Sequence, residues 1–447
     1  MQVAASGPDL TWKRIRRALD GFPDMMLRFV RSVYGPDALH EGWEEFDVWR
    51  DGPGFDPDTP HMQVFMPWFF HHWAPDPHGT DITDATLHDR SPTAVLLERR
   101  GRRLDPLLRR YLEACVATPF SFHEVLHCQP GVGFRARDIF LGGEREVLER
   151  SASETMEVGG AFYGLLVTCD GVTLMEACGP LSIPPAEKIS LIELRERISG
   201  GTAEVTAEML ADWNIELRDA YHELTEWLMD PPMPEMHNTE GHDLVFHTLT
   251  FEIGSAQEAF DALKHLANCD PPEEVEEAAQ RDEEGRVEAA VFSWTDETTV
   301  LGHIEISGTR LVIQVNSAER AARFRAIMEG ALGTKARHVD TEVQLLEEEL
   351  AKRSEESEPE PPDELDLTDH PEVRQHLEEM MATHYEAWVA EKLPALGGLT
   401  PLEAVQDRAG REKVAALVDQ LARDGRRMEP PLPEAIITKL RQRLGLA

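Results

Sequence analysis

The chain has 447 residues, 41% hydrophobic and 28% charged, and its 83 acidic against 44 basic side chains give a formal charge of −39. That length exceeds what one core supports, since single cores stop growing near ~250 to 300 residues, so two to four domains are expected and wholesale disorder is excluded by the apolar content. The acidity disfavours a nucleic-acid partner, because binding a phosphate backbone relies on Lys and Arg displacing counterions.

Residues 10–119 read as a helical module. Ser91-Pro92 supplies a cap and first helical residue before AVLLERR, Gly101 stands at the stop, and Asp105-Pro106 opens LLRRYLEACV. The dense aromatics of this stretch, among them Trp43, Phe46, Phe65, Trp68, Phe69, Phe70 and Trp73, read as core rather than as a stacking platform. Over residues 120–186 the texture changes to short alternating runs punctuated by glycine, which predicts a small antiparallel β-barrel or curled sheet.

Residues 187–242 read as a helical linker region in which Leu217, Tyr221, Leu224 and Leu228 recur at helical spacing. An α+β module follows over 243–339, with LVFHTLTFEI as a strand, a helix through AQEAFDALKHLA, a hairpin turning at Gly308, and a helix capped by Asn316 and ended by Gly333. Residues 340–368 read as an acidic linker carrying Pro359, Pro361 and Pro362, and 369–447 as a helical module. The fold class is therefore α+β and multidomain.

The five cysteines (Cys115, Cys128, Cys169, Cys178, Cys269) are odd in number and never spaced C-x-x-C, which points to reduced thiols in a cytoplasm and to no thiolate zinc site. No stretch approaches the ~18 apolar residues of a membrane span, so no membrane partner is expected. The richest ligand-like segment, His71, His72, Asp76, His78, Asp81, Asp84 and His88, lacks an H-E-x-x-H spacing and reads as polar loop. In FHEVLHC, strand alternation puts His123, Val125 and His127 on one face without a third metal ligand. The run Arg99, Arg100, Arg102, Arg103, Arg109 and Arg110 reads as internally paired with carboxylates. Neither a phosphate-cradling loop nor a nucleophile elbow is present, so no catalytic, cofactor-binding or metal-binding residue is assigned and no cofactor is expected.

The fragments WEEF, PWFFHHW, FHEVLHCQPGVGFRARDIFLGG, MHNTEGHDLVFHTLTFEI and VLGHIEISGTRLVIQVNSAERAARF resemble an uncharacterised bacterial family that often carries a SEC-C zinc-binding motif. The cysteine-rich motif itself is absent here, so its zinc, and any tie to protein export or nucleic acid, is not carried over. The segment WVAEKLPALGGLTPLEAVQDRAGREKVAALVDQLA is similar to the toxin-binding C-terminal domain of Xre/MbcA/ParS-type antitoxins. Here Gly397-Gly398 makes a tight turn, Thr400-Pro401 with Glu403 forms a capping box, and Val414, Leu417, Val418 and Leu421 make an apolar stripe that needs Leu377, Met380, Met381, His384 and Trp388 or another chain to cover it.

The resulting expectation is a modular, non-enzymatic interaction protein of the bacterial cytoplasm that binds a protein partner, toxin-like or other, around Leu396, Gly397, Gly398 and Pro401. Two alternatives stand beside it. One is a nucleic-acid-associated protein using the β-rich module and the arginine run, and the other a metal-dependent hydrolase using the histidine-rich segment.

Overall fold

A computed structural model describes residues 7–48, 54–200, 204–231, 236–268, 271–296, 299–345 and 371–446. They form two compact units, one made of residues 1–231 together with 367–447, the other of residues 232–366. Helices and two sheets make the protein α+β and multidomain.

The first unit begins with six helices: α1 (Gly7–Ala18), α2 (Phe22–Val33), α3 (Ala38–Phe46), α4 (Met62–His71), α5 (Pro92–Arg100) and α6 (Pro106–Ala117). Ser91 accepts from the Ala94 amide, and Asp105 from the Leu107 and Leu108 amides, so both predicted caps satisfy amides that the first helical turn leaves free. The aromatics are core: Phe46, Phe65, Phe69 and Trp73 are fully enclosed. On α4 the buried face is Val64, Phe65, Trp68 and Phe69, which turns Met62, Gln63, Met66 and Pro67 the other way.

A closed five-stranded barrel follows, built from β1 (Ser121–Gln129), β2 (Gly133–Asp138), β3 (Glu144–Val147), a short helix α7 (Arg150–Ser153), β4 (Ala161–Cys169) and β5 (Val172–Cys178), in the order β1-β2-β3-β5-β4. Its interior holds Val125, Phe134, Ala136, Val147, Phe162 and Leu166. A bulge in β1 between Val125 and His127 breaks strict alternation. His123 is therefore buried and His127 exposed, and the expected same-face pair is not formed.

Helices α8 (Lys188–Ser199), α9 (Ala207–Asp212) and α10 (Asn214–Met229) occupy the stretch expected to be linker. Instead Leu191, Leu194, Leu210, Leu217, Tyr221 and Leu224 join the same core as the N-terminal aromatics. Their helical periodicity is visible in sequence, but only the folded chain shows which surface covers it.

The C-terminal helices Pro371–Trp388, Pro401–Ala404, Arg408–Gly425 and Glu434–Arg443 close around their own core of Val389, Leu396, Val405, Val414, Val418, Ile437 and Leu440. Met381 and Trp388 pack against it, whereas Met380 and His384 are exposed. The module is seated on α8 and the barrel of its own unit largely through charge. Lys413 pairs with Glu193 at 2.6 Å, Arg195 with Glu412 at 2.7 Å and Arg423 with Glu157 at 2.9 Å, while Lys188 reaches both Glu124 at 2.5 Å and Asp419 at 3.4 Å.

Within this module a Cβ on Gly410 would stand 2.1 Å from the Ala404 carbonyl oxygen, a backbone atom that cannot swing away. Gly410→Ala is expected to cost roughly 1–3 kcal/mol through that overlap. Urea unfolding followed by circular dichroism checks it, and an unchanged midpoint contradicts the close approach.

In the second unit β6 (Val245–Ile253), α11 (Ala256–Leu263), α12 (Pro272–Glu277), β7 (Gln280–Arg281), β8 (Val287–Asp296), β9 (Thr299–Ser307), β10 (Arg310–Val315), α13 (Ala318–Leu332) and β11 (Ala336–Leu345) give an antiparallel sheet in the order β11-β6-β10-β9-β8-β7. Leu249, Phe251, Ile304, Ile306, Leu311 and Ile313 line the face that packs on Phe260, Phe324 and Met328 of α11 and α13. Gly308, at φ 57°, makes the predicted β9–β10 turn. The cap of α13 is Ser317, which accepts from the Arg320 amide. Asn316, expected in that place, instead accepts from the Arg320 guanidinium at 3.0 Å. Strand β11 runs on through Leu345, past the expected start of the acidic linker at residue 340, because its backbone pairs with β6 and does not depend on an apolar side-chain pattern. The rest of that expected linker, 346–368, lies outside the described residues.

Candidate functional site

Of the four residues expected to contact a partner, Leu396 belongs to the core of the C-terminal module and Pro401 is buried, leaving Gly397 and Gly398 exposed between them. Both glycines have positive φ, 66° and 81°, and the Gly397 and Gly398 amides donate to the Pro394 and Leu393 carbonyls. The capping box closes as expected, with Thr400 and Glu403 exchanging hydrogen bonds. Beside this turn a shallow cavity of about 250 Å³ is shared with Glu193 and Glu196 of α8. The outward apolar group here is Leu399, 45% exposed.

The histidine-rich segment divides. His71 is buried and His72 has its Nε2 enclosed, while His78 is exposed in a turn and His88 bonds the Ile82 carbonyl at 2.8 Å. Among the described residues no group of three or more His, Cys, Asp or Glu side chains converges as a metal site. In the arginine run, Arg110 pairs with Asp170 at 2.7 Å, Arg109 with Glu113 at 3.6 Å, and Arg100 lies over the Phe29 ring.

A larger feature lies elsewhere in the first unit. The outward face of α4 (Met62, Gln63, Met66, Pro67), the start of α2 and the α7 loop enclose, with β4, β5 and the Gly179–Ser182 loop, a groove of about 1040 Å³. Four half-buried methionines, Met62, Met66, Met156 and Met175, line it, together with Pro23, Pro60, Phe162 and Leu181. Unbranched thioether side chains re-pack around differently shaped apolar partners, which is why methionine recurs at adaptable binding surfaces.

Three charged side chains reach this groove. Arg16 and Glu149 pair with each other at 2.8 Å. Glu176, on β5, is the third. Its Oε2 accepts from the Tyr111 hydroxyl at 2.6 Å and its Oε1 lies 3.7 Å from His71 Nε2, while His71 Nδ1 and Thr93 Oγ1 share a hydrogen bond of 2.9 Å. Burial, and then the Glu176 charge, push the Tyr111 hydroxyl well above its usual range, so it stays a donor. The same two influences keep the neighbouring Cys115 thiol protonated. Burial pushes the Cys178 thiol on the groove wall up to about 12, so it is no thiolate nucleophile.

No family model, curated protein or solved structure matches this chain. The site therefore rests on its geometry. Sequence reasoning passed over Glu176 and the four methionines, because they come from a helix, a loop and a strand. One trace was present: on α4 the positions opposite the aromatics are Met62, Gln63, Met66 and Pro67, an uncharged face in a strongly acidic chain.

Among the described residues no helix is long and apolar enough to cross a membrane.

Proposed function

We propose that this chain is a non-enzymatic interaction protein of the bacterial cytoplasm whose first unit holds an apolar segment of a partner protein in the methionine-lined groove. The observation that carries this reading is the groove itself. At about 1040 Å³ it reaches the upper end of the ~300–1,000 Å³ typical of small-molecule pockets, and its walls are mostly thioether, proline and aliphatic. Behind Glu176, the His71 side chain is fully enclosed and cannot reach a bound molecule, so the Thr93-His71-Tyr111 group supports a carboxylate in place. The smaller turn at Gly397, Gly398 and Leu399 is proposed as a second contact of the antitoxin type, because Leu399 is held outward between a positive-φ turn and a capping box.

The test uses the full chain and a fluorescein-labelled, 18-residue amphipathic peptide of leucine, alanine and glutamine, titrated by anisotropy. Saturable binding is expected, weakened at least 10-fold by Met66→Glu and by Met175→Glu. These variants bring a charge into the apolar wall. Binding that is absent, or equal in the wild type and both variants, removes the groove as the binding surface. Leu399→Asp in the same assay reports on the second contact.

A further inference from the structure

We infer that the partner segment held in this groove carries a lysine or arginine side chain, and that Glu176 is the residue that selects it. The inference rests on the reading of the groove as a protein-binding surface and adds the chemistry of the occupant.

The charges on the groove wall do not balance. Arg16 is engaged by Glu149, which leaves the Glu176 carboxylate without a lysine or arginine among the groove-lining residues. Its side chain is only 15% exposed, and its two oxygens face Tyr111 and His71. A carboxylate taken this far out of water loses hydration that the Tyr111 hydroxyl, with the His71 imidazole 3.7 Å away, replaces only in part. A cation arriving from the open side restores that loss in a medium where a charge pair is stronger than in water. The surrounding methionines and prolines suit the alkyl stem of Lys or Arg, which packs on apolar surface while the charged head reaches the acid.

Tyr111 and His71 act on this site by position. The Tyr111 hydroxyl bonds one carboxylate oxygen, and the Thr93-oriented imidazole stands 3.7 Å from the other, which fixes Glu176 where it lines the groove. The chain's own acidic stretch is an unsuitable occupant. Residues 346–370 carry eleven acids against Lys352 and Arg353, and would bring negative charge to Glu176 and Glu149.

The experiment extends the anisotropy titration with two peptides that differ at one central position, lysine in one and norleucine in the other. The lysine peptide is expected to bind the full chain at least 10-fold more tightly. Glu176→Gln, which keeps the shape and an acceptor for Tyr111, is expected to abolish the difference between the lysine and norleucine peptides. Raising the salt concentration should narrow the gap in the wild type only. Equal affinity of the two peptides for the wild type overturns the charge selection and leaves the groove reading intact. A lysine preference that survives Glu176→Gln overturns the assignment to Glu176. Loss of binding by both peptides to the wild type overturns the groove reading and this inference with it. Because the lysine-to-norleucine comparison is made on the unmodified protein, a folding defect in the variant cannot mask the result.

Discussion

Lowering the pH from 7 to 4 is expected to shift the urea unfolding midpoint of the first unit downward by a large fraction of its value. Two imidazoles are responsible, His123 enclosed and His72 partly buried with its Nε2 out of reach of solvent. Burial, with His71 nearby, pushes the His72 ring down to about 3. Burial also pushes His123 down to about 4, against the pull of Asp138. Both rings are neutral in the folded chain, while in the unfolded chain each takes up a proton near pH 6.5. Below pH 6.5 the unfolded state therefore binds more protons, and stability falls until the folded-state values are reached. At roughly 1.4 kcal/mol per pK unit, two such rings withdraw several kcal/mol as the pH falls towards 4, a sizeable share of the about 5–15 kcal/mol that holds many domains folded.

Other groups modulate this without reversing it. Burial tends to raise the Glu124 carboxyl, but Lys188 and Arg137 outweigh that and hold it low, so its contribution is also lost on acidification. Glu45 acts in the opposite sense: burial raises its carboxyl despite Arg218, which favours folding as the pH falls towards the ordinary carboxylate range. Midpoints by circular dichroism at pH 7, 6, 5 and 4 check the direction, with His72→Gln and His123→Gln each expected to flatten the curve. A midpoint that is level across this range contradicts the buried-imidazole account.

Replacing Lys188 by alanine is expected to cost roughly 3–5 kcal/mol, the usual penalty for leaving a buried charge unpaired. The Lys188 side chain is nearly enclosed, and its ammonium joins Glu124 of the barrel to Asp419 of the Arg408–Gly425 helix. Removing it strands the buried Glu124 with only the half-exposed Arg137, and leaves Asp419 to Arg441. The loss should fall on two observables. The urea midpoint drops, and amide hydrogen exchange in the Arg408–Gly425 helix speeds up, since that helix loses its most buried attachment to the barrel. A paired replacement, Lys188→Met with Glu124→Gln, removes both charges and should recover most of the stability, because the gain from a buried ion pair is largely offset by its desolvation. If the single and paired variants unfold alike, the ion pair is not what seats the C-terminal module.

The same contacts explain why the C-terminal module was only half legible. The sequence LPALGGLTPLE announces its turn and its capping box, since glycine at positive φ and Thr-x-x-Glu before a helix are local, short-range requirements. Nothing local says that Leu396 and Pro401 are used to close the module's own core, or that Lys413 and Glu412 meet Glu193 and Arg195 more than 200 residues earlier in the chain. The pairing of those charges depends on where the helices end up, and isolated Lys and Glu residues look alike whether solvated or joined.

From the residues alone came the α+β class, the β-rich module that follows Phe120, the caps at Ser91, Asp105 and Thr400, and the core role of the aromatics, because each follows from backbone preference or from side-chain periodicity within about 20 residues. The tertiary structure decided that α8 to α10 are core and not linker, that a bulge after Val125 sends His127 outward, and that Met62, Met66, Met156, Met175 and Glu176 share one groove. A groove assembled from α4, the α7 loop and β5 has no period and no spacing in sequence. It exists only once the helical layer and the barrel have packed against one another, and the same packing brings Glu176 to the groove wall.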